Sequence, residues 1–468
     1  MTQQLEELEL ANLPNMHANQ PYQRFGDKMN SDFFEDYLLK IYDWRNKAGL
    51  TNNFGKMTAM VVEVDPGVAV QYIAELSVMT LYKYVRSWEA DGYRWHLLQI
   101  CPATPDFLVR EVLATDKIDF ISAMTTLAVR AKDKPHTKYV GEIFEVADLK
   151  EVVAKLDEIE VRFVNDFPGS PEKSYIHWTE PSVYTWNAFG YRQGNGTLER
   201  EYKMEREWQF DAESLELFVR MKELQKELGI DKFILPYDHL ATRVFSHDRE
   251  HAILELMRMS SYYYWGSFDI DAQNSSTNVT RPVNDNGFGE VQFEDAYGQP
   301  LIVSREMVSP AKVFTANNTP YYVNDFVGLP QPTETFVRNF GRRMHHLAVM
   351  VRDGRIVDGE VYYGNEYLLA PEYETRKDEF EYKFVDFVVD QLQKAEQEFL
   401  AEVVGSCQEG LKQIFSKSSK FSNLITEYIQ RCNDYQGFFT KKNVAALTAA
   451  AGMDEGVKER MMDNMITS

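Results

Sequence analysis

The sequence predicts an α+β fold in two domains, assembled from repeated strand–helix–hairpin units. Three observations carry that expectation. At 468 residues the chain exceeds what one ordinary hydrophobic core organises, so two domains are the natural count. Two segments, PYDHLATRVF at 236–245 and RRMHHLAVMV at 342–351, each set His-Leu-Ala before a β-branched apolar run, as two copies of one strand would. Between residues 138 and 191 the periodicity runs strand, helix, hairpin, and the same order recurs after each His-Leu-Ala segment.

Residues 1–53 read as a polar extension ending in a helix, with Phe33, Phe34, Tyr37, Leu38 and Ile41 at helical spacing behind Ser31. The N-terminal domain, 54–210, opens on a strand at Met57–Val64. A helix is predicted over 67–90, a strand over Trp95–Ile100, and either element over Pro105–Leu127. Tyr139–Glu145 reads as a strand, Asp148–Val161 as a helix and the aromatic-rich Ser174–Tyr191 as a hairpin. This half is expected to be a diverged pair of units without ligands. Its histidines (His96, His136 and His177) show no partner pattern and are assigned to packing or surface. Residues 193–211 read as the link between domains.

The second domain, 211–455, starts with an amphipathic helix at Asp211–Leu228, stopped by Gly229. The His239 strand, a helix at His247–Met259, a polar loop through Asp285 and a hairpin over Gly287–Glu306 follow. The second unit repeats this order, with the His346 strand, an acidic insertion, a long helix at Glu379–Val404 and a hairpin over 411–431. An alanine-rich helix, Asn443–Ala451, closes it. Aligning the two units sets Leu301–Ser304 against Leu424–Glu427, so Ser304 stands where the second unit has its glutamate. Residues 456–468 form a C-terminal tail.

Glu427 is the anomaly in this pattern. A carboxylate inside a strand is depleted by propensity and costly if it points inward unpaired. A cation in front of it removes the cost, and His239 and His346 supply the other two members of a two-histidine, one-carboxylate set. That set suits a facial non-haem iron site with three positions left open. The intervals (346 − 239 = 107 and 427 − 346 = 81) are too long for a local zinc motif and suit ligands on separate strands. Alternation sends His345 and His346 to opposite faces, and the shared His-Leu-Ala selects His346. Arg243 lies two strand repeats beyond His239 on the same face, about 13 Å along. It is either a surface arginine at the barrel end or a guanidinium clamp for a second substrate carboxylate.

The net charge of −22 and pI of about 4.9 argue against nucleic acid and anionic membrane as partners. An anionic substrate then needs local positive charge, which a metal ion and an arginine would supply. Cys101, Cys407 and Cys432, odd in number and without zinc spacing, point to buried thiols in a reducing, cytoplasmic compartment. The acidic N-terminus lacks the apolar region of a secretory signal, and no apolar run approaches a membrane span. A homo-oligomer is the expected assembly.

The segments Gln413-Ile414-Phe415-Ser416-Lys417, Glu427-Tyr428-Ile429-Gln430-Arg431, Gly437-Phe438, Asn443 and Ala446-Leu447 follow Gly410 in order. With Phe336, Phe340-Gly341, His346-Leu347-Ala348 and Tyr237-Asp238-His239-Leu240, they resemble the 4-hydroxyphenylpyruvate dioxygenase family of the vicinal-oxygen-chelate superfamily, over about residues 230–452. The resemblance implies paired βαβββ modules forming an open barrel, with Fe(II) held by His239, His346 and Glu427 and molecular oxygen as co-substrate. It implies a small 2-oxo acid substrate, oxidatively decarboxylated and hydroxylated; with 4-hydroxyphenylpyruvate the product would be homogentisate. By the same resemblance Gln331, Gln413 and Asn324 contact the substrate and Phe438 closes over it. Gly437 and Asn443 belong to a gating helix. Thr440, Lys441 and Lys442 replace glycines of the family in a turn one residue longer, and Val444 replaces an aromatic residue. Two alternatives stay open. One is a dioxygenase of another 2-oxo acid such as 2-oxoadipate, whose family shares a His-x-x-x-Arg strand. The other is a non-catalytic binding protein on this scaffold.

Overall fold

The structure is a computed structural model, and it describes residues 40–113, 138–164, 175–194, 199–270, 273–282, 292–294, 300–302, 309–318, 332–352, 354–357, 360–363, 404–432, 435 and 437–454. The first module runs β1 (Phe54–Val64), α1 (Ala69–Met79), β2 (Lys83–Ala90), β3 (Tyr93–Gln99) and β4 (Asp106–Val112). The second runs β5 (Lys138–Val146), α2 (Leu149–Asp157), β6 (Ile176–Trp178) and β7 (Ala188–Gln193), and β8 (Arg206–Trp208) adds an edge. Together they form one sheet in the order β6-β7-β5-β1-β4-β3-β2-β8. Side-chain caps open α2 and, in the C-terminal half, the helix that begins at Ala212. The Asp148 side chain accepts from the Glu151 amide at 3.0 Å and opens α2.

The C-terminal half repeats the plan. After α3 (Ala212–Glu227) come β9 (Ile234–Arg243), α4 (Arg249–Met259), β10 (Tyr263–Ile270), β11 (Ser275–Arg281), a separate small hairpin of β12 (Gln292–Glu294) with β13 (Pro300–Ile302), and β14 (Ala311–Asn317). Then follow α5 (Pro332–Phe340), β15 (Arg343–Val351), a second small hairpin of β16 (Gly354–Val357) with β17 (Glu360–Tyr363), β18 (Val404–Ser406), β19 (Leu411–Phe415), β20 (Ile425–Arg431) and α6 (Lys441–Asp454). The main sheet has the order β10-β11-β14-β9-β15-β20-β19-β18. In both sheets the two central strands are antiparallel (β1 with β5, β9 with β15), and each has a parallel neighbour from its own module. These are paired βαβββ modules, each pair making one curled sheet.

Four expectations need correction. Residues 83–90 are strand, not helix, because Asp91 and Gly92 both take positive φ (56° and 83°) and make the tight two-residue turn that pairs β2 with β3. The stretch 263–281, expected as a polar loop, is two paired strands. Its Ser/Thr/Asn-rich β11 hides its hydrophobic pattern because the polar side chains bond locally: Ser267 Oγ donates to Asn278 Oδ1 (2.6 Å) and Thr280 Oγ1 to Lys312 O (2.9 Å). The counterpart of β20 is β14, not Leu301–Ser304. Glu427 pairs with Ala348, and the matching position beside Ala241 is Val313, so Val313 and not Ser304 replaces the glutamate. Finally, Cys407 and Cys432 are not thiols. The antiparallel register of β19 and β20 brings their Cα atoms to 5.3 Å, and they form a disulfide, while Cys101 stays free and buried. The 193–211 link also contributes β8, which pairs with β2. His96 and His177 are buried packing residues, and His136 lies outside the described residues, as do the 379–403 segment and the tails.

The halves are joined by buried polar contacts as well as apolar ones. Lys312 and Glu142 form a buried ion pair between the two sheets, and Tyr428 Oη donates to Met79 O at 2.7 Å. Arg45, from a helix through residues 40–47, donates to Met257 O and Ser260 O, each at 2.8 Å. Among the described residues, no helix is long and apolar enough to cross a membrane.

Candidate metal centre

The site grows from the register of three adjacent central strands. His239 on β9 pairs with Ala348 on β15, and His346 pairs with Ala241. Ala348 also pairs with Glu427 on β20. The alanine of each His-Leu-Ala motif therefore sits beside a ligand-bearing position and leaves that side chain room to lean over it. All three polar side chains are buried, and their donor atoms lie within 4.8 Å of one another. His346 Nε2 stands 3.2 Å from Glu427 Oε2, and His239 Nε2 stands 3.4 Å from the same oxygen.

The residues fit a metal ion on two grounds. His239 Nε2 and Glu427 Oε2 are fully buried and have no hydrogen-bond partner among the described residues, a costly state that one cation between them would relieve. Donors about 2.1 Å from a common first-row ion and at right angles lie about 3 Å apart, close to the separations here. Two imidazoles and one carboxylate are the donor set of a facial iron site.

Each donor is oriented by a neighbour. Asp238 Oδ1 meets His239 Nδ1 at 2.8 Å, leaving Nε2 to face the site. Against the effect of burial, Arg431 and His239 hold the Asp238 carboxyl well below the usual carboxylate range. Arg431 grips Asp238 with two nitrogens (2.9 and 2.7 Å) and donates to Phe438 O at 2.6 Å, so one guanidinium ties the ligand strand to the segment that covers it. Burial favours neutral His239, but Glu427 and Asp238 outweigh it and raise its pKa to about 9. Burial, His345, His239 and Arg243 push His346 the other way.

His345 corrects the alternation argument. A register shift between Met344 and His346 marks a β-bulge, and the bulge brings His345 Nδ1 to 2.9 Å from His346 Nδ1 instead of sending it to the far face. Burial, Arg243 and Arg343 keep His345 neutral, so it can accept the His346 Nδ1 hydrogen.

Gln413 donates its amide to Glu427 Oε1 at 2.7 Å and accepts from Asn443 Nδ2 at 2.9 Å. It thus leaves Oε2 facing the histidines and links the carboxylate to α6. The Phe438 and Phe439 rings stand 5.7 and 5.1 Å from His239 and roof the site, with Trp265 against Phe438 at 5.8 Å. A Cβ at Gly437 would stand 2.2 Å from the Tyr435 hydroxyl, so a larger residue in the turn into the roof would displace that tyrosine. Thr440 caps α6 by accepting from the Asn443 amide at 3.1 Å. Arg243 is 6% exposed, which removes the surface reading, and its guanidinium lies 4.6 Å over Phe336. Asn324 and Gln331 lie outside the described residues. Sequence reasoning missed Asp238, Arg431, His345 and Phe439 as parts of the site. Only their adjacency to the singled-out residues could have pointed to them.

Two sheets of paired βαβββ modules, the C-terminal one holding a buried His-His-Glu cluster, give the fold class expected from the sequence. Among solved structures the chain is similar to a mutant of 4-hydroxymandelate synthase from Streptomyces coelicolor (12% identity, 86% of this chain and 99% of that one, TM-score 0.47). It is also similar to a xylose isomerase-like TIM barrel/4-hydroxyphenylpyruvate dioxygenase fusion protein (10% identity, 92% and 61% of the chains, TM-score 0.45). A third is 2,2',3-trihydroxybiphenyl 1,2-dioxygenase from Sphingomonas wittichii strain RW1 (8% identity, 81% and 90%, TM-score 0.39). No family model and no curated protein sequence matches the chain.

Proposed function

We propose that the protein is an Fe(II)-dependent dioxygenase that oxidatively decarboxylates and hydroxylates a 2-oxo acid, with 4-hydroxyphenylpyruvate or a related aryl 2-oxo acid as substrate. The observation that carries this reading is the pair of orphaned donor atoms, His239 Nε2 and Glu427 Oε2, buried under an aromatic roof. Fe(II) held by His239, His346 and Glu427 would supply two-point chelation of the 2-oxo acid and activation of dioxygen. One oxygen atom ends in the carboxylate left by loss of CO2, and the other in the hydroxylated product.

The chain's own residues do the positioning. Asp238 keeps the proton of His239 on Nδ1, and His345 does the same for His346, so both Nε2 lone pairs serve the metal. Gln413 occupies Glu427 Oε1 and leaves Oε2 free. Phe438 and Phe439 exclude water, and Arg431 holds that roof to the ligand strand.

A second reading rests on Arg243. Buried on the His239 face, it suits the far carboxylate of a dicarboxylic 2-oxo acid such as 2-oxoadipate. The test is oxygen uptake and CO2 release by iron-loaded protein with 4-hydroxyphenylpyruvate, phenylpyruvate, 2-oxoadipate and a catechol. Turnover of an aryl 2-oxo acid with stoichiometric CO2 supports the first reading, and turnover of 2-oxoadipate alone the second. Oxygen uptake with the catechol and no CO2 from any 2-oxo acid would overturn both. The homo-oligomer belongs to the same proposal, and light scattering in solution tests it.

A further inference from the structure

The N-terminal sheet matches the C-terminal one pair for pair, and the match shows what became of its centre. In the central pairing His239 opposes Ala348 and Ala241 opposes His346; the N-terminal equivalents are Ala59 opposite Ile143 and Val61 opposite Gly141. Ile143 pairs with Gly190 just as Ala348 pairs with Glu427. Ala59, Gly141 and Gly190 thus stand at the three ligand positions, and no metal can be held there.

Neighbouring atoms pack closely over Gly141 and Gly190, and aromatic side chains of the same sheet wall a space beside them. Trp178 of β6 lies across Gly190, where a Cβ would come within 3.0 Å of its ring. From the other end of the sheet order, Trp88 and Trp95 pair across β2 and β3 with nearly parallel rings (6.5 Å, 10°), and Tyr202 stacks on Trp88 at 5.5 Å. The curl of the sheet brings these walls around one cavity of about 270 Å³. Tyr93 lines it too. Its hydroxyl is buried, in a residue 8% exposed, and has no hydrogen-bond partner among the described residues. An unpaired buried hydroxyl is costly, and a polar atom of a ligand would satisfy it. The Arg110 guanidinium lies 3.9 Å over Tyr93 and 5.4 Å over Trp95, so positive charge already covers those ring faces and a cationic guest is disfavoured.

We propose that this cavity is a second binding site, for a small planar aromatic molecule of one or two rings carrying one hydroxyl or carbonyl. The rings slot between the tryptophan walls and the oxygen bonds to Tyr93. The site stands on the N-terminal sheet alone and does not depend on the chemistry of the metal centre.

Calorimetric titration of the full-length protein tests it, with 2-naphthol as the probe and naphthalene as the comparison lacking the hydroxyl. The expected result is saturable binding of one 2-naphthol. Tyr93→Phe should weaken it about 5- to 10-fold while leaving naphthalene unchanged. Ala90→Trp, which fills the cavity, should abolish it, and Glu427→Ala should leave it intact. Absence of saturable binding would overturn the proposal. So would loss of binding in Glu427→Ala, which would place the probe at the metal centre, or equal affinity of Tyr93→Phe and the parent for 2-naphthol. If Ala90→Trp fails to fold, the Tyr93→Phe comparison decides by itself.

Discussion

The two sheets share one topology and differ in what they set at the same three positions. The C-terminal sheet places His239, His346 and Glu427 there, beside alanines. The N-terminal sheet places Ala59, Gly141 and Gly190 there, and tryptophans fill the surroundings. The scaffold therefore does not create the chemistry. It supplies a curled sheet whose central strands converge, and the side chains at three positions decide whether a cation could be held there.

The strongest way to break this comparison is to remove a member of the triad. Glu427→Ala should lose most bound iron, measured by metal analysis after loading with Fe(II). Full iron occupancy in that variant would end the assignment. The reverse experiment should fail for a physical reason. A Cβ at Gly141 would stand 1.8 Å from Ala188 O, at φ 151°, so Gly141→His should unfold the N-terminal half instead of installing a ligand. The cost is expected to exceed about 3 kcal/mol and would appear as loss of soluble, cooperatively melting protein.

A smaller effect separates ligand orientation from ligation. Asp238→Asn keeps the triad but removes the charge shared with His239 and Arg431. Iron affinity should fall about 10- to 100-fold, readable by competition with a chelator. An unchanged affinity would mean that the Asp238 contact does not tune the metal. Thr440→Ala removes the cap of the roof helix and should cost about 1 kcal/mol in thermal or denaturant unfolding, with iron binding retained.

A pH-dependent effect concerns the seam between the halves. Glu75 of α1 accepts from Ser419 Oγ at 3.0 Å, and burial raises its carboxyl to about 7. The folded state then keeps a proton that the unfolded chain has released. Its stabilising contribution is complete below the ordinary carboxylate range and is lost as pH rises through about 7. Glu75→Gln should therefore lose less melting temperature between pH 5 and pH 8 than the parent does. An identical pH profile would show that Glu75 is solvated.

The metal-ligand candidates were legible because they break local rules. Glu427 interrupts a strand pattern, and two His-Leu-Ala strands repeat across more than a hundred positions. The modules were legible where apolar periodicity was clean, as in β9, β15 and β20. It failed at β11, whose Asn278 bonds Ser267 and Ser276 and whose Thr280 bonds the Lys312 carbonyl, and at β2, where a helical reading won over the Asp91-Gly92 turn. It also misplaced the partner of β9, because a parallel neighbour is set by a crossover and not by adjacency in the chain.

By itself the sequence determined which three residues stand as candidate donors, the doubled strand and the acidic, aromatic-rich composition, since each is written in residue type and spacing. Tertiary structure decided everything that depends on register. It aligned Ala241 and Ala348 beside the donors, bulged β15 so that His345 meets His346, and joined Cys407 to Cys432. It also gave Arg431 two tasks at once and put Gly190 where the other sheet has its glutamate. Those relations arise when distant strands pair, because hydrogen-bond register, unlike residue type, exists only between chain segments that have already met.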